Sequence, residues 1–240
     1  MTRVSIGMGS CLVLLALTAA PAQAQVVPSV EFGVGGFVPR AFASRAQGDT
    51  LVADLVDVLP LAFEIKDFRA PHVFAQWNMT VNDRIEVGLG AGFSSRTVPS
   101  VYRTVVDETT GAEIEQTLTL RMAPVLATVR FLPVGRATDV QPYFGAGVGV
   151  VAFRYREVGD FVDPSDDTIF PGDSRVSGAA PAGAILAGVR VPISRGHAAL
   201  TIEGRYLMAT GRIAGFDNDF LGDRIDLGGG TVTVGFLTRF

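Results

Sequence analysis

Apolar and polar residues alternate along several stretches of about ten residues in this chain. In residues 84–94, Ile85, Leu89 and Phe93 belong to an apolar set at odd positions, whereas the even positions carry charged residues, glycine or serine. Successive side chains of a strand point to opposite faces, so the pattern predicts a strand with one apolar and one polar face. Eight such strands are predicted, at 30–38, 71–81, 84–94, 118–131, 141–154, 180–191, 199–207 and 226–240.

Long and short connections alternate between these strands. Short connections at 82–83, 132–140 and 192–198 alternate with long connections at 39–70, 95–117, 155–179 and 208–225. Most strands have roughly the 9 to 11 residues that a tilted strand needs to cross a bilayer. The arrangement predicts an all-β fold, an eight-stranded antiparallel transmembrane up-and-down β-barrel whose long loops face the outside.

Two of the long connections carry patterns of their own. Residues 101–106 and 113–120 are rich in β-forming residues around Gly111, which predicts a hairpin that rises above the membrane. Residues 51–68 are unusually apolar and contain Pro60. They predict a short helix, ended by that proline, and then an upward extension of the second strand.

The first 24 residues have the features of a cleaved export signal. Arg3 is followed by an apolar run and by the small-x-small sequence Ala22-Gln23-Ala24. We therefore expect two parts, a signal peptide at 1–24 and a barrel domain at 25–240. Cleavage would also remove Cys11, the single cysteine of the chain, and with it any disulfide or thiol chemistry.

Composition agrees with a barrel and excludes one class of partner. Hydrophobic residues make up 48% of the chain, yet no segment has the continuous apolar length of a transmembrane helix. The formal net charge is −4, whereas proteins that bind nucleic acid carry basic patches. We expect no nucleic-acid partner.

The segment Gln141-Pro142-Tyr143-Phe144-Gly145-Ala146-Gly147-Val148-Gly149-Val150 and the terminal Phe240 resemble the small outer-membrane β-barrel family of OmpA-type transmembrane domains and OmpX-like and OmpW-like proteins. The resemblance implies residence in the bacterial outer membrane, contact with lipid and lipopolysaccharide, and a monomer. It also implies that Phe240 is an assembly signal, read by the barrel-assembly machinery after export through the periplasm.

Charged residues at inward strand positions are the candidate functional group. They are Glu31, Arg84, Glu86, Arg130, Arg190, Glu203 and Arg205. An eight-stranded barrel is just wide enough to be filled by side chains, so these charges must pair or meet water. A structural plug and a narrow channel or gate for small or apolar solutes use the same residues, and the sequence leaves both open.

An enzyme is the third alternative. His72 with a serine and an acidic loop residue could imitate a lipid-modifying barrel enzyme, although no nucleophile spacing supports it. The glycines of 88–92 and 145–149 recur at every second residue, which does not fit a nucleotide-binding loop. We expect them to make room in the lumen for larger neighbours. The sequence predicts a non-enzymatic protein with no catalytic residues, no cofactor and no metal.

Overall fold

The fold is a closed ring of eight antiparallel strands, as the alternation predicts. The computed structural model describes residues 27–57, 59–163, 165–193, 197–213 and 220–240. Its strands are β1 (Pro28–Pro39), β2 (Ala70–Thr80), β3 (Ile85–Val106), β4 (Glu113–Phe131), β5 (Gln141–Val162), β6 (Ile169–Ile193), β7 (Ala198–Arg212), β8 (Arg224–Asp226) and β9 (Gly229–Arg239). Strands β1 to β7 pair in chain order, and β9 closes the ring between β7 and β1. The short β8 pairs with the last residues of β7.

The first long connection contains one α-helix, α1 (Thr50–Val56), and two short 3-10 helices, Phe42–Ser44 and Ile65–Phe68. The predicted helix in 51–68 is therefore confirmed, and the predicted extension of the second strand is wrong. Before β2 the chain forms only an isolated bridge from Leu61 to Tyr102 and a 3-10 helix, while Leu61 and Phe68 pack into a common core. Within the described residues, no helix combines the length and the hydropathy needed to cross a membrane.

Four strands are longer than the apolar alternation indicates. The predicted hairpin of β3 and β4 is confirmed, with Val106 opposite Glu113 and Gly111 in its turn at a φ of +70°. The prediction of a loop over residues 155–179 is wrong, because β5 and β6 stay paired until Val162 lies opposite Ile169. Strands β3 to β6 thus rise well beyond the other strands.

The lower part of the barrel has an apolar exterior. In β2 and β3, Trp77, Leu89 and Phe93 are exposed on the outer face, whereas Gln76, Asn78 and Glu86 are buried inside, which confirms the predicted facing. We call this part the belt. It comprises β1, β2 and β9 with residues 85–93 of β3, 123–131 of β4, 141–152 of β5, 179–193 of β6 and 198–208 of β7. Near its lower edge, the rings of Phe131 and Phe144 contact edge to face at 5.4 Å.

Above the belt, the two faces exchange character. We call this upper part the crown; it includes residues 94–106, 113–122, 153–162 and 169–178 of β3 to β6, with 40–57, 59–69 and 220–227. In β4, Val125 and Val129 face outward in the belt, but Leu118 and Leu120 face inward in the crown. The inward residues pack with α1 and the 3-10 segment around Leu51 and Phe68 into one hydrophobic core. An apolar interior behind a polar outer face is the arrangement of a soluble protein.

Pro124 lies where β4 passes from belt to crown. The sequence predicts a bulge there, because a proline removes one ladder donor. The bulge is wrong, because β4 stays in register with β5 through Pro124, opposite Val151, and keeps one register with β3. The β3–β4 pairing nevertheless skips Ala123 and Pro124. The predicted signal peptide at 1–24 lies outside the described residues.

Candidate functional site in the barrel lumen

The belt encloses a cluster of charged side chains centred on Arg130. One Arg130 nitrogen donates to Glu31 Oε2 at 2.8 Å and to Glu86 Oε1 at 3.3 Å, and the other donates to Glu203 Oε2 at 2.6 Å. Only 1% of Arg130 is exposed, although it is the second-last residue of β4, near the lower edge of the belt. Three strands other than its own therefore supply carboxylates to one guanidinium group.

Glu86 is the second hub of the cluster. Both its oxygens accept from Arg190, each at 2.9 Å, in the bidentate geometry that makes strong charge-assisted bonds. Arg136 adds a bond to Glu86 Oε2 at 3.1 Å. Arg205 pairs with Glu203 at 2.7 Å, so the described cluster holds three glutamates and four arginines.

Neutral side chains complete the packing. Tyr143 donates its hydroxyl proton to Glu203 at 3.2 Å, and Thr201 donates to Glu31 at 2.7 Å. The Tyr143 ring lies 4.9 Å from the guanidinium carbon of Arg130 and 5.6 Å from that of Arg190. A ring face attracts a cation at such distances. This contact helps to hold two guanidinium groups whose Nε–H atoms lack hydrogen-bond partners.

The glycines at alternate positions provide the space for this cluster. A Cβ atom on Gly88 would lie 2.5 Å from Asn78 Oδ1 and 2.5 Å from Gln76 Nε2, and one on Gly188 would lie 2.5 Å from the Tyr143 hydroxyl. A Cβ atom essentially never lies within 3.0 Å of a non-bonded heavy atom, so a larger residue would not fit at either position. The expectation that lumenal glycines make room for larger side chains is confirmed for 88–92, whereas added Cβ atoms at Gly145 and Gly149 would first meet backbone atoms of β4.

Six of the seven predicted lumenal charges meet in the cluster: Glu31, Glu86, Arg130, Arg190, Glu203 and Arg205. Arg84 does not, because it is an exposed residue of the turn before β3. Sequence reasoning missed Arg136, which enters the lumen from the turn after β4, where no periodicity applies. The alternation could have indicated Tyr143 as a lumenal residue, because it lies on the same strand face as Gly145 and Gly147. Phe240 is exposed just beyond the end of β9.

His72 lies higher in the lumen, near the border between belt and crown. Its Nδ1 is 2.8 Å from the Ser94 hydroxyl, and both residues are buried. A cavity of about 20 Å³ beside them has room for about one water. Among the described residues, the hydrogen bonds give His72 a serine partner but no carboxylate to orient it.

These features together define the architecture. The ring is closed, the outer face of the belt is apolar, and the lumen behind it is charged, which is the construction of a membrane β-barrel. The chain has the fold of the small outer-membrane β-barrels.

Solved structures of such barrels are similar to this chain. Neisserial surface protein A is 12% identical over 90% of this chain and 96% of its own, with a TM-score of 0.45. OprG from Pseudomonas aeruginosa is 12% identical over 89% of this chain and 95% of its own, with a TM-score of 0.49. Ail of Yersinia pestis is 13% identical over 90% of this chain and 99% of its own, with a TM-score of 0.43.

At these identities, the likeness concerns the fold alone. The closed ring of eight strands is the fold that the sequence resemblance to OmpA-type, OmpX-like and OmpW-like barrels implies. No protein-family profile and no curated protein sequence matches this chain.

Proposed function

We propose that this protein is a non-enzymatic outer-membrane protein with a closed lumen and a structural or surface-interaction role. The burial of the Arg130 cluster carries the proposal. Arg130, Arg190 and Glu31 are each at most 1% exposed, so water does not reach them from either end of the barrel. Ions need a hydrated path through a pore, and side chains occupy that path here.

The crown then faces the exterior, because outer-membrane barrels have short periplasmic turns and long external loops. Its outer surface carries charged side chains such as Arg156 and Asp173, which pair at 2.7 Å. Its interior is a packed core, which supports a rigid surface element for contacts outside the cell. The belt contacts lipid and lipopolysaccharide as a monomer, and assembly uses the barrel-assembly machinery after export through the periplasm.

The geometry around His72 supports a non-enzymatic role. A hydrolytic relay needs an accessible nucleophile and a group that orients the base. Ser94 is buried inside the barrel, away from the lipid face, and the described hydrogen bonds of His72 include no acidic partner. Lipopolysaccharide incubated with the protein should therefore keep its mass, and a mass change lost in His72→Asn would show an enzyme instead.

Conductance across planar bilayers tests the closed lumen. The refolded protein should give no discrete current steps above the protein-free bilayer, and liposomes that contain it should not swell in small sugars or amino acids. Steady unitary currents, or swelling that depends on solute size, would overturn the proposal in favour of a narrow channel.

A further inference from the structure

A second group of buried charges lies in the crown and is built differently from the lumenal cluster. Asp54 of α1 is 4% exposed and Glu157 of β5 is 5% exposed. The Tyr155 hydroxyl donates to Asp54 Oδ2 at 3.3 Å. In the described part of the chain, no arginine, lysine or histidine forms an ion pair with Asp54 or Glu157. Each buried glutamate of the lumen, by contrast, pairs with arginine.

One oxygen of this pair has no partner. Glu157 Oε1 is enclosed by protein and has no hydrogen bond. Leaving a buried acceptor without a donor costs about 1 to 3 kcal/mol, and more when the group is charged. The chain thus keeps an acceptor at this place that its own described residues do not satisfy.

A cavity of about 170 Å³ opens onto these carboxyl groups. The residues that line it include Asp54, Glu157, Gln116, Tyr102 and Phe161. The Tyr102 hydroxyl accepts from Gln116 Nε2 at 2.9 Å, which fixes that side of the cavity. The exposed Asp57 adds a third carboxylate near the opening.

The electrostatics favour a cation. Burial raises the pKa of Asp54, and the neighbouring Glu157, Asp49 and Asp57 raise it further. Burial likewise raises the pKa of Glu157, opposed by the nearby Tyr155 hydroxyl. Arg45 is already paired with Asp49 and does not form an ion pair with Asp54 or Glu157. A positive ligand would relieve both the desolvation and the mutual repulsion of the two carboxylates.

The walls distinguish between two kinds of cation. Among the described residues, no group of three or more His, Cys, Asp and Glu side chains is placed to hold a metal ion. Aromatic rings attract organic cations, and a primary ammonium group brings three N–H donors to carboxylate acceptors. The cavity takes several non-hydrogen atoms, more than a bare ion fills.

We propose that the crown cavity binds a small aliphatic primary ammonium compound, with its nitrogen between Asp54 and Glu157 and its carbon chain against Tyr102 and Phe161. The site opens at the outer surface and does not depend on whether the lumen conducts. It gives the crown a ligand class that the fold by itself does not imply.

Calorimetric titration of the folded full-length barrel in detergent tests this site, with n-butylammonium chloride as the probe at pH 8 and constant ionic strength. We expect saturable 1:1 binding, weakened at least tenfold in Glu157→Gln and in Asp54→Asn. Asp166→Asn, at an exposed acid of the turn between β5 and β6, should bind as the wild type does. Both cavity variants should melt at or above the wild-type temperature, which separates lost binding from lost folding.

Three results would overturn the proposal. They are the absence of saturable heat with n-butylammonium, unchanged binding in Glu157→Gln, and calcium binding that is tighter than n-butylammonium binding and lost in the same two variants. The last result would make the cavity a metal site in which hydroxyl and amide oxygens complete the coordination by the two carboxylates. Planar-bilayer currents do not bear on any of these measurements, so the site and the closed lumen can fail separately.

Discussion

Replacing Glu86 by glutamine is the sharpest test of the lumenal cluster. The amide keeps the size of the side chain but removes the charge that Arg190, Arg130 and Arg136 share. It also turns an NH2 group toward guanidinium donors, so at least one of the two 2.9 Å bonds from Arg190 is lost. Two glutamates would then face four arginines within the described cluster.

The expected effect is large because Glu86 is only 1% exposed. Removing one partner of a buried ion pair costs about 3 to 5 kcal/mol. With a urea dependence of roughly 2 to 3 kcal/mol per molar, the unfolding midpoint should fall by roughly 1 to 2.5 M. The midpoint can be read from the loss of the heat-modifiable band on a gel. If the variant admits water instead of unfolding earlier, ion conductance should appear in planar bilayers.

Asp166→Asn is the matched control, since it removes one carboxylate from an exposed turn. An exposed charge contributes little, so neither the midpoint nor the conductance should change. Equal behaviour of Glu86→Gln and Asp166→Asn in both assays would refute the closed lumen. A water-filled pore with separately solvated charges would then explain the structure better.

Three further outcomes are expected. Brominated lipid chains should quench the fluorescence of Trp77, the single tryptophan, because it is exposed on the outer face of the belt; insensitivity to bromine depth would contradict membrane insertion. Phe240→Ser should lower the folded fraction during assembly while Phe240→Trp preserves it, and equal yields would remove the special status of this residue. Asp54→Asn should raise the melting temperature at pH 8 but hardly at pH 3.5: a folded-state pKa raised above 3.8 stabilises the fold at low pH, and that stability is lost as the pH rises. A pH-independent difference would exclude this origin.

The belt could be predicted from the sequence because each of its strands has hydrocarbon on one side and a polar lumen on the other. Period-two alternation then reports the facing directly, as Leu89 and Glu86 of β3 illustrate. The same parity places Glu31, Arg130 and Glu203 in the lumen, although it does not say which charges pair. Pairing depends on strand stagger and on side-chain reach, which the pattern does not contain.

The crown could not be predicted in the same way. In β5 above the belt, apolar residues such as Phe153 lie on the inward face, and the outward positions of β5 and β6 carry arginine, aspartate and serine such as Arg156 and Ser177. Without the lipid-facing set, residues 155–179 looked like a loop. Arg84 and Arg136 show a second limit, since turns have no fixed period and one turn arginine stays outside while the other folds back to Glu86.

The exchange of faces between belt and crown also fixes how deep the barrel sits. Strands β4 and β5 run through the border without a break in register, although the pairing of β3 with β4 skips Ala123 and Pro124 there. On the outer face, Arg121 and Arg154 lie opposite each other just above the border and mark it. Sliding the barrel inward by two residues, about 5 Å along the membrane normal for a tilted strand, would carry both guanidinium groups toward hydrocarbon. Sliding it outward would expose Phe93 and Val150 to water. The outward residues of β4 and β5 therefore limit the depth of insertion to within about two residues along the strand.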